Sequence, residues 1–198
     1  DTGSVTGVIK IYSNDPDESI RNVHLSGRGV ILNITLLDTL YEFGNIWIGD
    51  SADWEWLWIK NEGSTNLVID SIIPTSPVFK IPSPTFPQTV APNNAINVLV
   101  RFLPQDTGFA EETLKIYSND PDKPVVYAYV QGRGLASDIY LSDTLYDFKD
   151  IWVGDSSLYE IWVKNLGNAN LIIDSIPFSD SIYRLVFSEL QDTILPLD

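Results

Sequence analysis

Leu114-Lys115-Ile116-Tyr117-Ser118-Asn119-Asp120-Pro121-Asp122 reads as a strand running into a turn. Side chains alternate in polarity at the start, the period of a half-buried strand, and Asn-Asp-Pro then breaks the run. Its last seven residues stand unchanged at Ile11-Tyr12-Ser13-Asn14-Asp15-Pro16-Asp17, an offset of 105 (Ile116 against Ile11). Working outward at that offset, Gly27-Arg28-Gly29 returns as Gly132-Arg133-Gly134, Asp38-Thr39-Leu40-Tyr41 as Asp143-Thr144-Leu145-Tyr146, and Gly49-Asp50-Ser51 as Gly154-Asp155-Ser156. One residue is then lost. Lys60-Asn61 matches Lys164-Asn165, and Asp70-Ser71-Ile72 matches Asp174-Ser175-Ile176, at an offset of 104 (Asn165 against Asn61). Self-similarity of this length at a fixed period marks a repetitive architecture.

The phase of the repeat divides the chain. Residues 1–29 are read as the C-terminal strands of a preceding repeat, 30–134 as a complete repeat, and 135–198 as the N-terminal part of a following one. Together the two incomplete pieces reproduce a unit except for the counterpart of 95–105. That segment carries Ile96, Val98, Val100 and Phe102, a core strand by its alternation. A sandwich short of such strands leaves apolar slots and unpaired backbone edges. Two outcomes stay open: completion by neighbouring repeats or identical chains, head to tail and filament-forming, or arbitrary cuts in one covalent array.

Within a unit the pattern is all-β. Ile46-Trp47-Ile48, Leu57-Trp58-Ile59, Leu67-Val68-Ile69, Val98 to Phe102, Leu114 to Tyr117 and Val126 to Val130 are short β-formers separated by Gly, Asn, Asp and Pro. No stretch keeps a helical period. About seven strands in roughly 100 residues predict tandem immunoglobulin-like β-sandwiches. Phe43-Gly44-Asn45-Ile46-Trp47-Ile48-Gly49, Ile59-Lys60-Asn61-Glu62-Gly63, Val100-Arg101-Phe102-Leu103-Pro104 and Leu114 to Pro121 with Gly132-Arg133-Gly134 resemble the abnormal-spindle/hydin (ASH) type of immunoglobulin-like domain. The bacterial relatives of that type are the choice-of-anchor D repeats. The resemblance implies a structural or scaffolding module rather than an enzyme. The chain departs from it at Lys149, where the first copy has Gly44.

Composition narrows the chemistry. With 12 Lys+Arg against 27 Asp+Glu the chain carries −15, which disfavours nucleic acid and anionic membranes as partners. There is no Cys and a single His, so neither a disulfide framework nor a Cys or His metal set is available. No apolar run approaches the roughly 18 residues that span a bilayer. The carboxylates recur in turns, at Asp15, Asp17, Asp50, Asp70, Asp120, Asp122, Asp155 and Asp174, where Asx-turn hydrogen bonding explains them better than catalysis or calcium. No catalytic residue, metal ligand or cofactor is assigned.

Two sets of residues are candidates for interaction. Gly27, Arg28, Gly29, Gly132, Arg133 and Gly134 sit between units and are read as an interdomain linker, with glycine supplying unusual φ. The resemblance places Leu57 and Ile59 inward, so period-two alternation sends Trp47, Trp54, Trp56 and Trp58 outward, with Trp152 and Trp162 in the next unit and Tyr117, Tyr127 and Tyr129 by the same count. An apolar face of that size predicts burial by another unit or chain. The expected role is a structural, adhesive or filament-forming module of a bacterial surface or secreted protein. The alternatives are a carbohydrate- or calcium-binding module, in which Trp and Tyr stack on sugars, and a cilium- or centrosome-associated scaffold.

Overall fold

A computed structural model describes residues 2–186 and 193–197. Among these, all regular structure is β: β1 (Gly3–Tyr12), β2 (Ile20–Gly29), β3 (Ile34–Leu36), β4 (Leu40–Trp47), β5 (Ala52–Asn61), β6 (Leu67–Ile73), β7 (Phe79–Ser83), β8 (Gln88–Val90), β9 (Ala95–Phe102), β10 (Gly108–Ser118) and β11 (Val125–Leu135). Four shorter strands follow, β12 (Ile139–Leu141), β13 (Val163–Asn165), β14 (Leu171–Ile172) and β15 (Thr193–Ile194). A five-stranded sheet runs β4-β11-β10-β6-β8 and a four-stranded sheet β3-β5-β9-β7, while β1-β2, β12-β13 and β14-β15 are separate pairs. The fold is an all-β immunoglobulin-like sandwich.

Spatially the chain falls into two compact units, one of residues 1–41, 53–101 and 112–130, the other of 42–52, 102–111 and 131–198. In the first, alternate residues of strands from both sheets are fully buried: Leu57 and Ile59, Leu67 and Ile69, Val98 and Val100, Leu114 and Ile116. β-branched and leucine side chains at period two pack such an interior because every second residue points the same way. A bidentate pair, Arg101 Nε and Nη2 donating to the two Asp53 carboxylate oxygens at 2.6 and 2.7 Å, is partly buried in the same unit. The Glu112 carboxylate, also buried, accepts from Thr75 N at 2.9 Å, Ser76 N at 2.6 Å and the Thr75 hydroxyl.

In the second unit Phe43 and Phe102 meet with centroids 5.5 Å apart. A Cβ on Gly132 would lie 2.6 Å from the Phe102 ring, and one on Gly134 would lie 2.2 Å from the Asp106 carbonyl oxygen. This corrects the linker reading. Gly132, Arg133 and Gly134 belong to β11, and Gly27, Arg28 and Gly29 to β2. Gly27, Gly132 and Gly134 do not have left-handed φ, and Gly132 and Gly134 are small because ring and backbone approach closely, not because the chain turns. Neither Arg28 nor Arg133 forms an ion pair among the described residues. The departure at Lys149 keeps the left-handed φ of that position: it takes 57° where Gly44 takes 71°. Asp147 supports it by accepting from Lys149 N at 2.9 Å and Nζ at 2.7 Å.

Candidate assembly surfaces

β1 and β2 form an antiparallel ribbon in strict register, with Gly7 opposite Leu25, Ile9 opposite Val23 and Ile11 opposite Arg21. Directly opposed residues share a face, so one face carries Val5, Ile9, Ile11, Val23 and Leu25 with Arg21 at its turn end, and the other Thr6, Lys10, Asn22, His24 and Ser26 with Val8, Tyr12 and Ile20. The apolar face is uncovered. Ile9 and Ile11 are 49% and 51% exposed, whereas Leu114 and Ile116, at the same places in the repeat, are 0% exposed. A shared Ile-Tyr-Ser-Asn-Asp-Pro-Asp turn thus joins two antiparallel strands twice, once as part of a core and once in solvent.

The turn of each ribbon is an Asx turn. Asp15 Oδ1 accepts from Asp17 N and Glu18 N at 3.0 and 3.3 Å, and Asp120 Oδ1 accepts from Asp122 N and Lys123 N at 3.0 and 3.2 Å. Asp120 does more: its Oδ2 accepts from Ile34 N, 2.9 Å away at the start of β3. Asn119 likewise clasps β6, its side-chain oxygen accepting from Val68 N at 2.8 Å while its own N–H donates to Val68 O at 3.1 Å.

Residues 135–186 and 193–197 preserve pairings of the complete repeat in a reduced form. Ile139↔Asn165, Tyr140↔Lys164 and Leu141↔Val163 match Ile34↔Asn61, Thr35↔Lys60 and Leu36↔Ile59. Leu171↔Ile194 matches Leu67↔Val90. A buried asparagine locks both. Asn61 Nδ2 donates to Thr65 O and Val90 O at 2.8 Å each, and its Oδ1 accepts from Gly63 N at 2.9 Å. Asn165 repeats this with Ala169 O at 2.7 Å, Ile194 O at 3.0 Å and Gly167 N at 3.0 Å. What differs is cover: Ile161, counterpart of the fully buried Leu57, is exposed, and so are Leu158 and Ile172.

The aromatic set divides. Trp56 is 62% exposed and Trp58 half-buried on β5, in the four-stranded sheet. Trp47, Tyr117, Tyr127 and Tyr129 are exposed on strands of the five-stranded sheet, so the four tryptophans do not share one face. Trp152 and Trp162 are exposed in the second unit. Trp54 reverses the expectation: it is 2% exposed, its ring stacked parallel on Tyr41 with centroids 5.0 Å apart. Glu55 and Trp56 are both exposed, so the alternation slips by one residue between Trp54 and Leu57, as an extra residue in a bulge makes it do. The residue missing from the second copy falls in this same stretch, between Ser156 and Lys164. A shallow depression lined by Asn45, Ile46, Trp47, Gly49, Asp50 and Ser51 sets an exposed indole beside polar groups. Among the described residues no cluster of His, Asp or Glu is arranged to hold a metal ion.

Two carboxylates link the sandwich to pH. Burial alone would raise the Asp120 pKa, but three backbone N–H donors, from Ile34, Asp122 and Lys123, outweigh it and hold the carboxyl below its ordinary value. The Arg101 hydrogen bond holds Asp53 low in the same sense. A folded pKa below the unfolded value of about 3.9 gives stability that is full above that pH and lost as pH falls through the folded pKa. Urea midpoints should therefore hold from about pH 7 to about pH 5 and fall below about pH 4. Asp120→Asn, which turns an amide N–H toward Ile34 N–H, should lower the plateau and flatten the acid limb. An acid limb unchanged by Asp120→Asn would refute this assignment.

No protein-family profile matches the chain, and no curated protein does. Solved structures are similar to it at low identity. A protein of unknown function from Porphyromonas gingivalis W83 shares 15% identity over 67% of this chain and 66% of its own, with a TM-score of 0.45. The ASH/PapD-like domain 7 of human CEP192 shares 12% over 53% of this chain and 87% of its own, at 0.46. The secreted serine protease VesC from Vibrio cholerae shares 15% over 55% of this chain and 24% of its own, at 0.41. The chain thus spans just under two thirds of the first of these proteins. Among the described residues no helix is long and apolar enough to cross a membrane.

Proposed function

We propose that this chain is a non-catalytic structural module of a repetitive bacterial surface or secreted protein, and that it assembles with neighbouring repeats or identical chains by strand completion. The observation that carries this reading is the β1–β2 ribbon, amphipathic in register and bare on its apolar face while its sequence twin forms core. Burying apolar area yields about 25 cal/mol per Å², so such a ribbon gains by finding a cover. The exposed Trp56, Trp47 and Tyr127 add adhesive surface on the sheets themselves. Sedimentation velocity on the full chain from ~1 to ~100 µM should show species growing with concentration, and negative-stain microscopy should show them elongated. A dispersed monomer throughout would overturn the reading.

Carbohydrate binding is the second reading, favoured by the indole of Trp47 beside Asn45, Asp50 and Ser51. Quenching of tryptophan fluorescence by cello-oligosaccharides, lost in Trp47→Ala, would carry it. No change on titration would remove it.

A further inference from the structure

We propose that the outer face of the four-stranded sheet is a glycan platform, on which adjacent rings of a neutral, equatorially linked pyranose chain stack on Trp56 and Trp58. This goes beyond the assembly reading and rests on the carbohydrate reading, for which it names a site other than Trp47. The sheet, β3-β5-β9-β7, lies wholly within the complete repeat. On β5 the side chains of Leu57 and Ile59 are 0% exposed, so Trp58 between them points away from the core, and so does Trp56 two residues earlier. A step of two residues along a strand sets the pair about 7 Å apart, close enough for adjacent sugar rings of one chain each to meet an indole.

Ion pairs bound this strip at both ends. On the Trp56 side the Arg101 guanidinium, from the neighbouring β9, grips both oxygens of Asp53, at 2.6 and 2.7 Å. Past Trp58, Lys60 Nζ donates to Glu62 Oε1 at 2.9 Å and the Thr35 hydroxyl donates to Glu62 Oε2 at 3.1 Å, with Thr35 directly opposite Lys60 on β3. All four charged side chains keep part of their surface in solvent. A guanidinium has five N–H donors and its grip on Asp53 spends two, so donors remain for a ligand. The same hydrogen bond holds the Asp53 carboxyl below its ordinary pKa, which keeps the pair charged in weak acid. A pyranose matches this layout: its C–H faces suit the indoles, and its equatorial hydroxyls reach the planar carboxylate and guanidinium at the ends.

Three observations favour a neutral sugar over a protein as the occupant. The charges at the two ends neutralise each other, Arg101 with Asp53 and Lys60 with Glu62, and the exposed Glu55 beside them, in a chain of −15, disfavours acidic glycans. Protein interfaces keep Lys, Glu and Asp out of their centres, whereas here all three flank the indoles. The pair also fails to recur: Trp58 returns as Trp162, but Glu160 stands at the place of Trp56. A face that packed every repeat against the next would need both indoles in each copy, so the two-indole strip is a property of this repeat rather than of the array.

Calorimetric titration of the full chain with cellohexaose, xylohexaose and chitohexaose, three neutral chains of this linkage, tests the site. At least one should bind, with a Kd weakened about tenfold or more by Trp56→Ala and kept within about threefold of the parent by Trp56→Phe. Trp47→Ala should leave that binding in place. Trp56 is 62% exposed, so urea midpoints read through the buried Trp54 should not move in either Trp56 variant, which separates a lost contact from a lost fold. Binding that Trp47→Ala removes and Trp56→Ala leaves untouched overturns this site while the carbohydrate reading stands. No binding by any of the three overturns both. Self-association that Trp56→Ala abolishes, without saccharide binding, shows that the face holds a second copy of the chain and overturns the proposal.

Discussion

Ile116→Ala is expected to cost the sandwich about 2–5 kcal/mol, and Ile11→Ala, the same change at the same place in the repeat, under about 0.5 kcal/mol in dilute solution. Ile116 is 0% exposed among Leu, Ile and Val side chains, so truncation removes transfer free energy and leaves a cavity. Ile11 stands half in water and leaves nothing behind. For a domain near 100 residues the first change corresponds to a fall in Tm on the order of 10–30 °C. Urea unfolding followed through the buried Trp54 indole reads both. Equal costs would mean that the ribbon is packed in solution even at dilution, and would remove the physical basis of the assembly reading. At high concentration the same Ile11→Ala chain should sediment as smaller species than the parent.

The second large effect is Asn61→Ala. Three bonds are lost at a side chain with 0% exposure, stranding the Thr65 and Val90 carbonyls and the Gly63 N–H. An orphaned buried polar group costs about 1–3 kcal/mol, so a loss of roughly 3–5 kcal/mol follows. The loop cannot relax freely, because the Gly63 Cα is packed so tightly that a Cβ would sit 2.5 Å from the Ile31 carbonyl oxygen. Asn61→Asp should be worse than alanine, since it keeps the Gly63 bond but turns a carboxylate toward two carbonyls. Asn165→Ala should leave the main transition in place. A main-transition loss below about 1 kcal/mol for Asn61→Ala would show that water replaces the amide.

Particular residues show what was readable in advance and what was not. The period of two in Val98-Leu99-Val100-Arg101-Phe102 and in Leu57-Trp58-Ile59 already separates core from surface, because a strand has only two faces. Trp54 escapes that count because a single extra residue inverts parity, although the residue missing after Ser156 in the second copy marks where it lies. Gly132 and Gly134 mislead because glycine serves both unusual φ and close approach, and only the position of the Phe102 ring and the Asp106 carbonyl distinguishes the two. Asn61 is visible as a repeated residue, but its role depends on a carbonyl 29 residues away. Alternation identifies the apolar side of the β1–β2 ribbon; it says nothing about whether another strand layer covers it.

Glu112 bears on how such a chain is made. On the ribosome β4 and β6 emerge before β10 and β11, which lie between them in the finished sheet. At about 5–20 residues per second the gap between β6 and β11 lasts seconds. Throughout that time a ribbon with the same Ile-Tyr-Ser-Asn-Asp-Pro-Asp sequence has already been synthesised and can compete for the vacancy. The Thr75–Ser76 backbone and hydroxyl are satisfied by a glutamate that the earlier ribbon, with Gly7, does not carry. One carboxylate thus gives the later ribbon a set of hydrogen bonds that the earlier one has no side chain to make.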